Sequence, residues 1–467
     1  MKAAIFFCDL TKAQIKQAKA WSKTENWAMG RPHGEHEFTF AKNIDLKVDG
    51  NQDNSNNVDN LTKDLLTTAC FIYQADRMIT RSQNWFRELE FHIGVYDYRL
   101  WNENASLLRK IIGHLTRDTV RIRFYKFQGK RAPLKLPRLI GEREGGICVF
   151  GDTLDAVAGA AIVNKVNAIV ASYRYGQEDA RSHHELIEQI KKLTQPLDYV
   201  RFRIIPRGLN GRDPTQRTNG FLQLALAGAV ARSIGLDSIG QLQVFGNGIA
   251  SYHLQNRQLC GSGFSVRDTH PLLLKLVQEL FRNLFSDGEN LCVVNQFQYL
   301  TPSAVLNQVL ETLNQADTMK LFAEISNCSE RRLARSFGRL HCGCCFSCKI
   351  RRLAALNVKF EQAHDHSNYA TDPLDNKVNA IFKSKLNELE KKTVYDSHET
   401  GFFGFKRYIE GFRRSPAEIR KLTEVGKGIS DLATELLDVG GPRTSQDMEN
   451  EIIALHKQFA DETKGYI

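Results

Sequence analysis

The chain has 467 residues, 42% hydrophobic and 25% charged, with 63 Lys and Arg against 53 Asp and Glu for a formal net charge of +10. This length exceeds one compact core and predicts two or three domains of ordinary globular composition. No uninterrupted apolar stretch is long enough to span a bilayer, and the opening MKAAIFFCDLTKAQIK is broken by Asp9 too soon for a secretion signal. These features point to the cytoplasm and exclude a membrane partner. The basic excess fits an anionic partner such as a nucleotide, RNA or an acidic protein surface, and fits a solvated basic surface equally well.

Residues 1–145 read as a strand-rich accessory domain with a linker. FRELEFHIGVYDYRLW (86–101) and VRIRFYKF (120–127) alternate apolar and polar residues as half-buried strands do, and LRKIIGHL between them predicts a short helix. The Asn- and Asp-rich tract 49–60 predicts a polar loop, and 128–146, with two prolines and mixed charge, predicts the linker into a second domain.

From 146 the pattern changes. GICVFG, NAIVASY, YVRFRIIP and GQLQVFGNGIA read as strands. Between them DAVAGAAIVNK, HHELIEQIKKL and GFLQLALAGAVARSIG read as helices, the last closed by Gly235 as a C-cap. Strands alternating with helices predict right-handed βαβ units, a parallel sheet with helices on both faces, and a ligand beyond the carboxyl ends of the strands. Residues 146–357 form this predicted α/β domain. Residues 358–467 predict a charged, helical C-terminal region, in which FFGFKRYIEGFRR (402–414) predicts a helix with its aromatic residues packed inward.

Ten cysteines in a cytosolic chain favour metal ligands or buried thiols over disulfides. Cys342, Cys345 and Cys348 are spaced Cys-x₂-Cys-x₂-Cys, and Cys328 supplies a fourth thiol upstream. Four thiolates in that pattern suit a closed, structural, tetrahedral Zn²⁺ site. Cys344 is a surplus thiol beside Cys345. The first strand–turn–helix, FGDTLDAVAGA (150–160), is where a phosphate would meet helix-end N–H groups. Gly151 and Thr153 supply backbone room and a hydroxyl there, Asp152 places a negative charge, and Asp155 is able to ligate Mg²⁺. An ordinary helix N-cap explains the same residues equally well.

With these motifs in view, the chain resembles the PP-loop ATP pyrophosphatases, and among them the QueC-like 7-cyano-7-deazaguanine synthases. The greatest likeness is to the longer QueC-like proteins that form the QatC component of Qat anti-phage systems. The resemblance rests on FGDTLDA in the place of the family's Ser-Gly-Gly-x-Asp-Ser/Thr loop, on Tyr175-Gly176-Gln177 and on the segment around Arg217 and Phe221. It rests further on FGNGI (245–249), with Gly246 where the family carries an acidic residue, on SVRDTHP (265–271), and on the zinc signature HCGCCFSCKIRR. It implies a Rossmann-like PP-loop (adenine nucleotide α-hydrolase) fold, structural Zn²⁺, and ATP with Mg²⁺ as cofactors. Asp155 is then the catalytic carboxylate; Gly151, Asp152, Thr153, Leu154, Tyr175, Gly176, Gln177 and Arg217 contact the nucleotide; and Phe221, Asn247 and His270 line the substrate pocket. The implied reaction is AMP-forming activation of a 7-deazapurine carboxylate or related acyl group in anti-phage defence, with another subunit of the system as partner and a deazapurine or nucleotide as ligand. The loop departs from the family pattern at Gly151, Asp152, Thr153 and Ala156. This keeps open a non-catalytic scaffold built on a degenerate PP-loop, and a tRNA-modifying PP-loop enzyme that would use the basic charge to bind nucleic acid.

Overall fold

The structure is a computed structural model. It describes residues 2–24, 34–49, 55–79, 87–137, 146–163 without Asp152, 169–175, 180–193, 198–207, 217–235, 240–252, 254, 267–285, 288–325 without 289 and 324, 328–360 without 329, 330 and 344, 368–374, 406, 409–413, 423–424, 427–436 and 444–466.

The N-terminal part runs β1 (Lys2–Cys8), α1 (Lys12–Thr24), β2 (Glu35–Phe38), α2 (Phe40–Asn43), β3 (Ile44–Asp49), β4 (Ser55–Asn57), α3 (Asn60–Met78), β5 (Arg87–Val95), α4 (Tyr98–Glu103), α5 (Ala105–Thr116), β6 (Thr119–Lys126) and β7 (Lys135–Pro137). Its four-stranded sheet, in the order β2-β1-β5-β6, is parallel throughout. The alternation read in 86–101 therefore has a different cause. Every residue of β5 is buried; Arg87 pairs with Asp76 and Asp118 and His92 lies 2.6 Å from Glu90, so these polar members meet partners inside instead of facing water. The strand also ends at Val95, and Asp97 caps α4 by accepting from Leu100 N at 3.2 Å. The tract expected as a loop contributes β4, which pairs with β7 inside the expected linker. That linker is anchored further by Arg131, which donates to Asp64 and to the Gly94 carbonyl.

Arg87 is fully buried at the start of β5. It donates to Asp118 Oδ2 through Nε at 3.1 Å and to the Asp76 and Ile79 carbonyls at 2.8 and 2.6 Å, and it pairs with the Asp76 carboxylate. Asp76 Oδ2 in turn accepts from Thr218 N at 3.2 Å at the head of the longest helix of the second sheet. Arg87→Met removes the buried cation that neutralises both Asp76 and Asp118. It is expected to lower the unfolding free energy by about 3–5 kcal/mol, seen as a fall in urea midpoint at unchanged slope. A loss below about 1 kcal/mol would mean that the carboxylates find water in the folded state.

The second part continues with β8 (Ile147–Val149), α6 (Leu154–Val163), β9 (Ile169–Tyr175), α7 (Ala180–Leu193), β10 (Asp198–Pro206), α8 (Asn219–Ile234), β11 (Gln241–Val244), α9 (Gly248–Tyr252), α10 (Pro271–Leu284), β12 (Cys292–Asn295), α11 (Pro302–Thr312), α12 (Gln315–Ala323), α13 (Arg331–Ser336) and α14 (Phe346–Asn357). The expected βαβ alternation is present. The sheet order is β12-β11-β8-β9-β10-β3. The first five strands are parallel, and β3 from the N-terminal part adds an antiparallel edge, with Val48 opposite Phe202.

Strand residues alternate between two cores, as a pleat requires. Ile147, Val149, Leu242 and Val244 face a core shared with α3, α5, α8 and α10. Cys148, Phe150 and Val170 face one shared with α6, α7 and α11. Helices thus cover both faces. The first of these cores runs without a break from Ala4 to Val293, so the N-terminal part packs against the second sheet through α3 and α5.

The C-terminal residues add β13 (Thr423–Glu424), β14 (Lys427–Gly428), α15 (Ile429–Glu435) and α16 (Ser445–Glu462). A capping box between Thr444 and Asp447 starts α16. Ile409 and Phe412 pack inward against α15 and α16, as expected for the aromatic-basic segment; Phe402 to Phe405 lie outside the described residues. Among the described residues no helix is long and apolar enough to cross a membrane.

Candidate functional site

In the second sheet the chain order of the parallel strands reverses between β8 and β11. Connections leave these neighbours in opposite directions, so a crevice opens beyond their carboxyl ends. A cavity of about 310 Å³ lies there. Of the residues expected at the site, Gly151, Thr153, Leu154, Asp155 and Asn247 line it.

Asp155 sits in the first turn of α6 and is 8% exposed. Its Oδ2 accepts from the Asn247 backbone N at 2.9 Å and side-chain Nδ2 at 2.7 Å, while Oδ1 has no partner among the described residues. Burial pushes its carboxyl up to about 6, partly offset by the two Asn247 donors and by the charge of Arg351. Thr153 Oγ1 accepts from Ala156 N at 3.1 Å, so the hydroxyl caps α6. Beside Gly151 there is open space; a Cβ added there would meet only Gln223, at 4.0 Å, among the described residues.

The loop that presents Asn247 is built tightly. Gly246 N donates to Asn295 Oδ1 at 3.1 Å and its carbonyl accepts from Asn295 Nδ2 at 2.8 Å. A Cβ at Gly246 would lie 2.2 Å from Thr269 Oγ1, so the acidic side chain of the family pattern has no room here. Gly159 is needed for the same reason: the Phe245 ring passes 2.1 Å from where its Cβ would be, which lets α6 lie against the sheet.

Among the cavity residues that were not expected, Asp268, Thr269 and Arg351 bring polar groups with defined settings. Asp268 accepts from Asn219 Nδ2 at 2.8 Å, and burial pushes its carboxyl up to about 7 against the lowering effect of its bonds to Asn219 and Gly220. Thr269 Oγ1 lies 2.8 Å from Ser251 Oγ. Arg351, from α14, is 1% exposed; its Nη1 lies 2.7 and 2.6 Å from the two ring nitrogens of His341, while Nε and Nη2 have no partner among the described residues. The sequence signals for these were weak: Asp268 lies three residues before a helix-starting proline, and Arg351 lies one turn beyond Cys348.

Three expected residues sit elsewhere. Arg217 points into the N-terminal part and donates to the Thr116 carbonyl at 3.2 Å, tying α5 to the head of α8. Phe221 is buried in the core of α8. His270 is the N-cap of α10, accepting from Leu272 N at 3.1 Å with its ring 4.5 Å from that of His114. Each carries a polar or aromatic group suited to a ligand, but in each case a structural partner takes it. Tyr175 ends β9 and its side chain lies outside the described residues, as do Asp152, Gly176 and Gln177.

Behind α14 the sulfurs of Cys328, Cys342, Cys345 and Cys348 lie within 4.8 Å of one another, and all four residues are buried. Sγ–Sγ distances of 3.9 Å (Cys342–Cys348) and 3.3 Å (Cys345–Cys348) bracket the roughly 3.8 Å edge of a tetrahedral Zn–thiolate site. Backbone N–H groups already point at sulfur: Cys342 N at Cys328 Sγ (3.2 Å) and Cys345 N at Cys342 Sγ (3.4 Å). Hydrogen bonds from Cys328, Cys342 and Cys348 hold the Cys345 thiol well below its usual range, which favours a thiolate there, while burial pushes the Cys348 thiol up. The donor set therefore fits a closed metal site, with zinc the ion its four thiolates suit. The knuckle glycine Gly343, at φ +82, carries the chain so close to the Thr371 carbonyl that any Cβ would collide with it at 1.8 Å. Cys344 lies outside the described residues.

Comparison of the chain with protein-family models, with curated proteins and with solved structures returns no match.

Proposed function

We propose that the chain is a QueC-like, ATP-dependent enzyme that activates a carboxylate as its acyl-adenylate in the cavity between β8 and β11. The observation that carries this reading is one pair of incomplete groups in one cavity. Among the described residues, Asp155 keeps a buried carboxylate oxygen without a partner, and Arg351 keeps two buried guanidinium nitrogens, Nε and Nη2, without one. A ligand that completes both has to present an anion to Arg351 and a cation or donor to Asp155. A nucleotide phosphate accompanied by Mg²⁺ does so.

In this reading Asp155 Oδ1 would hold Mg²⁺, which offsets negative charge on the departing pyrophosphate. Arg351 orients the phosphates as a preorganised, buried cation. The substrate carboxylate oxygen attacks the α-phosphorus, the Pα–O bond to the β-phosphate breaks, and pyrophosphate leaves. Ammonia then attacks the acyl carbon and displaces AMP, or an amine of a partner protein does so. Asp268, whose carboxyl burial pushes up to about 7, in its ionised form accepts the proton that the attacking nitrogen sheds and becomes the neutral acid. The open space beside Gly151 lets phosphate oxygens approach the backbone, although Thr153 spends its hydroxyl on the helix cap.

Isothermal titration tests the reading. ATP–Mg²⁺ is expected to bind the wild-type chain at one site, with at least tenfold weaker affinity in Asp155→Ala and in Arg351→Ala. Absence of ATP affinity in the wild type, alone and with its partner subunits, would transfer the reading to a non-catalytic scaffold. Mass spectrometry of co-expressed partners for an added deazapurine mass tests the acceptor.

A further inference from the structure

The N-terminal sheet has its own reversal point. Its order β2-β1-β5-β6 places the first and third parallel strands of that sheet side by side, so their connections diverge beyond Cys8 and Val95. Those carboxyl ends are locked together. Asp9 follows β1 in a left-handed backbone (φ 54), and Gly94 comes so near that a Cβ would lie 2.4 Å from the Asp9 carbonyl. Next to this point is a second cavity of about 580 Å³, larger than the first and within the range of small-molecule sites. It is walled by Leu10 and Thr11 after β1, Phe40 of α2, Asp45 of β3, the first turns of α3, and residues 127–134.

The charge in that wall is unevenly settled. Asp9 and Asp64 share Arg131, at 3.5 Å from Asp9 and in direct contact with Asp64. Asp45 takes Lys47 at 3.1 Å and Arg207 at 2.8 Å. Three carboxylates thus meet three cations. Lys63 and Lys130 also line the cavity, and neither has an ion pair or side-chain hydrogen bond among the described residues. They leave an uncompensated positive charge at a concave, partly apolar site, which attracts anions. Phe40 and Phe127, both half-buried and on different segments of the wall, offer aromatic surface to a planar ring, Phe127 by the part of its ring that Arg131, 4.7 Å from its centroid, and Tyr96 leave uncovered.

We infer that this cavity is a second ligand site, separate from the one at Asp155, for a ribonucleoside monophosphate whose phosphate pairs with Lys63 and Lys130 and whose base lies against Phe40 and Phe127. Because β3 is at once part of this wall and the edge strand of the second sheet, a bound ligand touches both parts of the protein.

The test uses the full chain carrying Gly151→Phe, which fills the first cavity, so that the two sites do not confuse one another. Isothermal titrations with AMP, GMP, CMP, UMP and inorganic phosphate are expected to show one site per chain for at least one nucleotide, at least tenfold tighter than for phosphate. Affinity should drop at least tenfold in Lys63→Gln with Lys130→Gln, substitutions at solvent-reachable side chains, with an unchanged circular dichroism spectrum as the check on folding. Absence of nucleotide binding overturns the inference, as does binding that the lysine changes leave intact. Phosphate binding as tightly as the nucleotides overturns the role given to the aromatic walls.

Discussion

A chain carrying Cys348→Ser is expected to lose one equivalent of bound metal and a large part of its stability. Cys348 lies in the first turn of α14 with its sulfur 3.9 Å from that of Cys342 and 3.3 Å from that of Cys345, so its loss opens the shell. Structural zinc contributes an apparent binding free energy of about 10–16 kcal/mol in small zinc domains, against total stabilities of about 5–15 kcal/mol for whole proteins. Weakening that term by even a third is therefore comparable with the margin that keeps the protein folded. Elemental analysis of the purified variant should show the missing equivalent, and thermal unfolding should show a midpoint lowered towards that of chelator-treated wild type. Cys292→Ser is the control: this residue belongs to β12, outside the cluster, and should keep its metal. A Cys348→Ser chain that retains the full equivalent would refute the ligand set. The change should also reach the cavity, because the helix that the cluster anchors carries Arg351 three residues later.

That coupling explains what could and could not be read from the sequence. The cysteine cluster was legible because metal ligands at short knuckle spacing are a local signal, and three of the four lie within seven residues. The second sheet was legible because its buried parallel strands are short apolar runs separated by helices. Asp155 was legible as an acid in the first turn after the first of those strands. By contrast, Arg351 and Asp268 enter the same cavity from helix and loop more than 80 residues apart, and only the fold brings them together.

In the N-terminal part β5, α5 and β6 were legible, while α3 and the full burial of β5 were missed for a different reason. α3, NLTKDLLTTACFIYQADRM, is buried on nearly every side between two sheets, so its apolar residues form no single stripe with a 3.6-residue period. β5 carries Arg87, Glu88, Glu90 and His92 in a strand with no exposed face; His92 Nε2 lies 2.6 Å from Glu90 Oε1, and such internal pairing makes a buried strand look amphipathic. Arg217 and His270 failed as site residues because buried backbone carbonyls and helix ends need donors and acceptors as urgently as ligands do.

Asp155→Asn is expected to make the protein more stable above neutral pH while weakening the binding of ATP–Mg²⁺ at least tenfold. The native state holds the Asp155 proton more tightly than the unfolded chain, with a carboxyl pushed from an ordinary value near 3.8 up to about 6. Between those values the folded protein binds the extra proton, so unfolding free energy decreases as pH rises; the stability is full below about pH 4 and lost once pH passes about 6. A shift of about two units corresponds to roughly 3 kcal/mol between the two ends of that window. Asparagine keeps the size of the side chain and an oxygen for the Asn247 donors but never ionises. Urea unfolding should therefore show the variant more stable than wild type by about 1–3 kcal/mol at pH 8, with the difference shrinking towards zero near pH 4.5. Asp268, raised in the same direction, is present in both proteins and cancels from the difference. The variant should also lose at least tenfold in affinity for ATP–Mg²⁺, since an amide offers the metal no charged oxygen. If Asp155→Asn instead destabilises the protein equally at pH 4.5 and pH 8, Asp155 is an acceptor that holds the Asn247 loop, and the site's chemistry lies elsewhere.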